Sequence, residues 1–399
     1  MDFNLYQALG QVCSDDAGQI FRDHLRGFVR EMISDVMASE VTELCGPKHH
    51  PSNSEYVRAG SSTGRVFVEG ERESVVRPRV RKRSDDGSSK EVVLATYDAA
   101  RDPSQLKDSI VTALMHGVST RDVEKLKPNS PGVKKSSVSV HWQRVGHKFV
   151  QELRGRDLTA TNWVVLMLDG IRLSKDQLAI AAIGIDSNGR KHVLDFELGS
   201  SESSEVAKDL MRRLMKRGFH CDRRLYVVLD GSDALRSAVI EFFPNAVIQR
   251  CLVHKERNIK SKLSKKHWGE LSRLFKRLRK VEGRDAAIEV VNELKSFLKG
   301  KNAESLKSLE EAGEDLLALH SLNVPSTLHR SLLSTNAIEN SFRNTRNKLG
   351  RVTRFRAETD QATRWLSFAL LEVEKGFRRI SGCDNLPKLI AALEVKEAA

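Results

Sequence analysis

The chain has 399 residues, 40% of them hydrophobic and 30% charged, enough for two to four folded domains and too apolar to stay disordered. No run approaches the ~18 consecutive apolar residues of a membrane span. Met1-Asp2-Phe3-Asn4 lacks the basic start and apolar core of an export signal, so a cytoplasmic protein is expected. The five cysteines (Cys13, Cys45, Cys221, Cys251, Cys383) are odd in number and form no C-x-x-C pair, which favours reduced thiols over a disulfide framework.

Lys and Arg exceed Asp and Glu by 66 to 53, a net charge of +13, and the excess is clustered. Lys255 to Arg284 holds twelve basic and three acidic residues, a net +9; Ser341 to Arg356 holds six basic residues and no acid. Arg77, Arg79, Arg81, Lys82 and Arg83 form a third patch. One such patch is usually a solvated face. Three with so few carboxylates call for a polyanionic partner, and nucleic acid is the usual one.

Residues 1 to about 50 read as an amphipathic helix: Phe21, Leu25, Phe28, Val29, Ile33, Val36 and Met37 keep the 3.6-residue period, and Gly46-Pro47 ends the run. Residues 56–97 read as a small β-meander with short strands at Val66–Glu69, Ser74–Val76 and Val92–Leu94. Residues 98–157 return to helix. Gln105 to His116 stops at Gly117, Ser119 to Asp122 carries a capping-box pattern, and after Pro128–Gly132 a longer helix runs from about Ser136 to Leu153. This order suits a helix-turn-helix with an enlarged turn, presenting Ser139, Arg144 and Lys148 to DNA; a plain three-helix bundle is the alternative.

From Asn162 the pattern becomes α/β. Trp163–Leu168 is an apolar run ending at Asp169, Leu178–Ile185 and His192–Leu198 are strands, and Glu202–Arg217 is helical. Leu225–Leu229 is a buried strand ending at Asp230, followed by a helix at Ala234–Phe243 and a short strand at Ala246–Arg250. A basic helical tract fills about 255–322, and helix returns from Thr335. The fold class expected is an α/β, ribonuclease-H-like core at 158–254 and 328–399, interrupted by an all-α insertion at 255–327.

Asp169-Gly170 and Asp230-Gly231 could each be a strand-ending turn. In this topology, however, strands one and four are neighbours, so the two carboxylates meet. Such a pair repels unless a cation lies between them, and Mg²⁺, which prefers oxygen ligands and serves phosphate chemistry, is the natural one. A third acid is expected from a helix, and Glu339 supplies it: Asn336, Glu339, Asn340 and Arg343 share a face beside the apolar stripe of Ile338 and Phe342. The competing reading makes Asn336 an N-cap and Glu339 its capping-box partner. Cys251 and His254 are an incomplete zinc set and fit better near a strand end, bracing a carboxylate or approaching a phosphate. Trp268 is either a core anchor or a base-stacking aromatic.

The strings Leu168-Asp169-Gly170-Ile171, Leu229-Asp230-Gly231, Cys251-Leu252-Val253-His254-Lys255-Glu256-Arg257-Asn258 and Ser334-Thr335-Asn336-Ala337-Ile338-Glu339 occur in an order and spacing that resembles bacterial insertion-sequence transposases related to the Mutator elements of plants. Gly117–Val123 and Arg77–Arg81 extend the likeness, which covers about residue 56 to the end. The resemblance implies a DDE enzyme with Asp169, Asp230 and Glu339 as catalytic, metal-holding acids. It implies two Mg²⁺ per site, with Mn²⁺ able to substitute, and double-stranded DNA as partner, both terminal repeats and target. Pairing two element ends calls for at least a homodimer, and a DNA-bound protein of this kind is expected at the nucleoid. Lys276, Arg277, Arg279 and Lys280 of the insertion would contact phosphates. The expected reaction is hydrolysis at an element end to leave a 3′-hydroxyl, which then attacks a second phosphodiester. The tyrosines (Tyr6, Tyr56, Tyr97, Tyr226) show no recombinase setting; a non-catalytic DNA-binding repressor is the competing class.

Overall fold

The computed structural model describes residues 15–50, 55–68, 71–84, 87–102, 104–126, 134–174, 177–201, 203–350, 352, 355 and 359–394. Tyr6, Cys13, the Pro128–Gly132 segment and Arg351, Arg354 and Arg356 of the last basic run lie outside them. The chain divides into two compact units, 1–142 and 143–399. No helix among the described residues is long and apolar enough to cross a membrane. Cys45, Cys221, Cys251 and Cys383 are all free thiols.

The first unit opens with helix α1 (Asp15–Cys45), followed by an antiparallel sheet of β1 (Tyr56–Val68), β2 (Glu71–Arg83) and β3 (Ser89–Val92) in that order. Met37, Val41 and Cys45 of α1 pack on Val66, Val68, Val75, Val80 and Leu94. The strands are longer than the expected short runs, because a ribbon with a wet face can carry Ser and Arg between its apolar positions. Pro78 sits opposite Ser61, where the register shifts and a ladder N–H is dispensable. A β-carbon on Gly64 would lie 2.7 Å from the Tyr97 ring, so the hairpin can pass that ring only as glycine. Tyr97 belongs to helix α2 (Ala95–Ala100) rather than to a strand. Leu94 cannot cap this helix, and the Glu40 carboxylate of α1 does so instead, accepting from Ala95 N–H at 2.6 Å and Thr96 N–H at 3.0 Å.

Helices α3 (Ser104–Met115), α4 (Val123–Leu126) and α5 (Lys135–Arg154) follow, close to the expected bounds. The Ser119 hydroxyl accepts from Asp122 N–H at 3.2 Å and donates to Asp122 Oδ2 at 2.6 Å, in keeping with the capping pattern of the sequence. The division between the units falls inside α5.

In the second unit β4 (Trp163–Arg172), β5 (Leu178–Asp186) and β6 (Lys191–Gly199) form an antiparallel run. Helix α6 (Ser204–Lys216) leads to β7 (Tyr226–Leu229), and α7 (Asp233–Phe242) leads to β8 (Val247–Arg250). Both β7 and β8 are added parallel, giving the order β6-β5-β4-β7-β8. Strand alternation divides the core in two. Leu166, Leu168, Val227 and Leu229 face α6 and α7 through Leu210, Leu214, Leu235 and Val239. Val165, Met167, Tyr226 and Val228 face the opposite side.

That opposite side is covered by α8 (Leu252–Lys262), α9 (Trp268–Leu278), α10 (Arg284–Lys299), α11 (Ala303–Glu310), α12 (Ala318–Ser321), α13 (His329–Leu332), α14 (Asn336–Leu349), α15 (Gln361–Glu374) and α16 (Leu386–Leu393). The basic tract is thus several short helices. Their apolar stripes, Leu271, Leu274, Phe275 and Leu278 on α9 and Val290, Leu294 and Leu298 on α10, continue the core beyond the sheet.

Candidate active site

The parallel ladder between β4 and β7 pairs Val165 with Tyr226 and ends by pairing Leu168 with Leu229. Asp169 and Asp230 are the next residue on each strand. Parallel neighbours in register lie about 5 Å apart and point the same way, so both carboxylates project to the face that carries Val165, Met167, Tyr226 and Val228. The Asp-Gly pairs differ from each other. Gly170 continues β4, paired with Ile180, so Asp169-Gly170 is not a turn. Gly231 has φ +118° and does end its strand.

Asp169 is buried, and its carboxylate accepts from Gly170 N–H at 2.8 Å. Burial first, and the Asp230 charge second, push its pKa up to about 7. Asp230 is half-buried, and its Oδ1 accepts from Ser232 N–H at 2.9 Å. Ser232 in turn caps α7. The third acid arrives on α14. Ligand atoms of Asp169, His254 and Glu339 lie within 4.8 Å of one another.

Glu339 is no capping-box partner. Thr335, not Asn336, occupies the N-cap, without a side-chain cap bond. The Glu339 carboxylate instead accepts from Arg257 Nη1 at 3.1 Å and lies 3.5 Å from His254 Nε2. Ile338 and Phe342 are buried, while Asn336, Asn340 and Arg343 are exposed along the outer face, with Arg343 donating to Asn340 Oδ1 at 3.1 Å.

Cys251 and His254 acquire distinct tasks. Cys251 is the N-cap of α8; its sulfur accepts from His254 N–H at 3.4 Å and from Thr335 N–H at 3.3 Å. It therefore ties α8 to α14. Burial alone would raise the thiol pKa, but the hydrogen bonds from His254 and Thr335 outweigh it and lower it. The His254 imidazole is pushed up to about 9, first by its hydrogen bond with Cys251 and then, against burial, by the charges of Cys251, Asp169 and Glu339. Its Nδ1 lies 3.2 Å from the Thr335 hydroxyl, which also lies 3.4 Å from Cys251 Sγ and 3.5 Å from Glu339 Oε1. Thr335 and Arg257 both lie inside the strings that carry the family likeness, though neither is singled out there as a site residue. Arg257 stands one turn after His254 on the same helix, and that spacing is the signal that points to it.

The remaining expected site residues have their own local settings. Arg77 and Arg79 are held by Glu91 at 2.8 and 2.7 Å, and Lys82 by Glu55 at 2.8 Å; Arg81 and Arg83 are exposed. Ser139 is half-buried, Arg144 and Lys148 exposed. On α9 and just beyond it, Arg277 is clamped by Glu293 at 2.6 Å and Arg279 by Glu256, whereas Lys276 and Lys280 are exposed. The Trp268 indole N–H lies 3.0 Å from Leu263 O and 3.2 Å from Lys260 O, so the ring closes the end of α8 with part of its surface still in solvent.

Comparison with known proteins gives this site its context. The family described as transposase, Mutator family, matches residues 4–379. A transposase for an insertion sequence element of Lactococcus lactis subsp. lactis is 27% identical over 64% of this chain and 66% of its own length. One from Lactobacillus helveticus is 25% identical over 81% of this chain and 87% of its own length. One from a transposon of Staphylococcus aureus is 30% identical over 64% and 67%. Membership of this family implies a divalent cation as cofactor. The chain belongs to the Mutator family of transposases.

Proposed function

We propose that the protein binds the ends of its own mobile element and cuts and joins DNA there, with Asp169, Asp230 and Glu339 as the cation-holding acids. Asp169 carries this reading: it follows the Leu168–Leu229 rung beside Asp230, feels the Asp230 charge, and lies within ligand distance of Glu339 and His254, a group that does not include Asp230. The donor set fits a hard divalent cation. Two carboxylates, Asp169 and Glu339, meet the His254 imidazole there, and a buried acid pushed up to about 7 by burial and a neighbouring carboxylate is relieved by positive charge. Cys251 is outside the cluster, its sulfur engaged by the backbone of two helix starts. Two Mg²⁺, or Mn²⁺ in their place, would supply Lewis acidity to an attacking oxygen and to the leaving oxygen.

In this reading the five-stranded sheet is a ribonuclease-H-like core and 255–327 its helical insertion. His254 and Arg257 neutralise Glu339 until DNA and cation arrive, and the exposed Asn336, Asn340 and Arg343 line the approach. Lys276 and Lys280 meet phosphates, and residues 98–157, with the Arg77–Arg83 strand, read the ends. A homodimer would hold two ends at once. The test is direct: full-length protein, labelled fragments carrying the sequences that flank its gene, and Mg²⁺. Nicked and joined products are expected, and their absence with both Mg²⁺ and Mn²⁺ would refute the reading.

A further inference from the structure

We propose that Arg250 is a positioning residue for Asp230, locked in place by Glu311 of the helical segment, and that this clamp sets the cation-binding geometry. The inference rests on the reading of Asp230 as a cation ligand. Arg250 is the register partner of Leu229, the residue before Asp230. Its side chain is buried, and it lies flat against Gly231, the residue after Asp230. A β-carbon on Gly231 would collide with Nε, Cζ and Nη2 of Arg250. Glycine is doubly required there, for this approach and for φ +118°. The guanidinium plane thus forms the wall against which the Asp230-Gly231-Ser232 turn is formed.

What holds the wall comes from far along the chain. Arg250 Nη2 donates to Glu311 Oε1 at 2.9 Å. The other oxygen of Glu311 accepts from Lys255 Nζ at 3.1 Å, and Lys255, wholly buried, also donates to Ser308 O at 2.7 Å. Glu311 is the C-cap of α11, where unsatisfied carbonyls favour cations. Two buried cations therefore share one carboxylate, that of Glu311, itself about half exposed at 52%, and Lys255 keeps a second acceptor in Ser308 O. A planar fork, one oxygen to each cation and a bare α-carbon beneath it fix the turn from three sides. The helical segment is in this way coupled to an acid of the sheet it covers.

The test uses the full chain with Mn²⁺ alone, followed by heat of binding and by the metal-dependent rise in unfolding midpoint. Arg250→Lys keeps the charge and loses the plane; Glu311→Gln keeps the shape and loses the clamp. Each should weaken Mn²⁺ binding about 10- to 100-fold, the range for residues that orient metal ligands. Leu309→Ala, a core truncation on the same helix, should lower the midpoint and leave the affinity of the folded protein unchanged. Wild-type affinity in both Arg250→Lys and Glu311→Gln would overturn the proposal, as would an equal loss in Leu309→Ala. Should Arg250→Lys fail to fold, Glu311→Gln decides alone. A wild-type chain that takes up no Mn²⁺ would instead bring down the reading of Asp230 as a ligand, and this inference with it.

Discussion

Arg257 reaches across from α8 to Glu339 on α14, Nη1 to Oε2 at 3.1 Å, with more than half of its side chain in solvent. An exposed pair of this kind contributes at most about 1 kcal/mol to stability, so its interest is competitive. The guanidinium occupies an oxygen that a cation would need. Arg257→Gln should therefore bind Mn²⁺ no more weakly than the wild type in calorimetry. It should bind DNA more weakly if the freed guanidinium moves to a phosphate. Weaker metal binding in this variant would mean that Arg257 supports the site rather than competing for it.

Asp169→Asn, Asp230→Asn and Glu339→Gln should each abolish DNA cleavage and joining and leave DNA binding largely intact, as read by gel assays of products and of complexes. Asp169→Asn should also stabilise the metal-free protein at pH 8. The folded pKa of Asp169 lies near 7, above its ordinary value, so stability is full below that ordinary value and is lost as pH rises towards 7. Each tenfold weakening of the acid on folding corresponds to about 1.4 kcal/mol. Mg²⁺ should raise the unfolding midpoint of the wild type and not of this variant. Undiminished joining by any one of the three would remove that residue from the site.

His320 is wholly buried, 5.0 Å ring to ring from His329, and its Nε2 lies 2.9 Å from Leu278 O near the end of α9, as donor to that carbonyl. Burial pushes its pKa down to about 4. The unfolded chain takes up a proton near pH 6.5 and the folded chain does not. Stability is therefore full above that pH, falls as pH drops from about 6.5 to about 4, and loses ~3 kcal/mol in all. Urea unfolding at pH 8, 6 and 5 should show this slope in the wild type and a flatter one in His320→Gln. Parallel slopes would assign the acid sensitivity to other groups.

Within the basic tract the structure separates two kinds of residue. Lys276 and Lys280 are exposed, whereas Arg277 and Arg279 are engaged by Glu293 and Glu256. Lys276→Ala with Lys280→Ala should weaken binding to all DNA sequences alike and reduce the salt slope by roughly 0.9 for each phosphate no longer neutralised. Arg277→Ala should act chiefly on the α9–α10 pairing. An unchanged salt slope in the double lysine variant would put this face away from DNA.

The strands of the second unit were legible because buried parallel strands read as continuous apolar runs, and Trp163–Leu168 and Leu225–Leu229 are such runs. Asp169 and Asp230 were legible as their first polar successors. The full length of the β1–β2 ribbon was not, because a half-wet hairpin imposes no strict alternation. Partners distant in sequence were also hidden. Nothing local to Glu311 announces Arg250, nor does Glu293 announce Arg277, and charge counting therefore overstated the free positive charge of the tract. Thr335 carries no signal of its own beyond its place in the Ser334–Glu339 string. Its hydroxyl between His254, Cys251 and Glu339 is a product of how α8 and α14 meet.

The spacing of the three acids along the chain has a consequence for synthesis. Asp169 and Asp230 are made early, while Glu339 follows only after α8 to α13 have been translated. A chain ending anywhere in that stretch carries both carboxylates without their third neighbour and without α14, which Cys251 ties to α8. A polypeptide cut short there retains all of residues 1–142 and has an incomplete site. Premature termination therefore yields a chain that keeps its first unit and lacks the third acid of the proposed site.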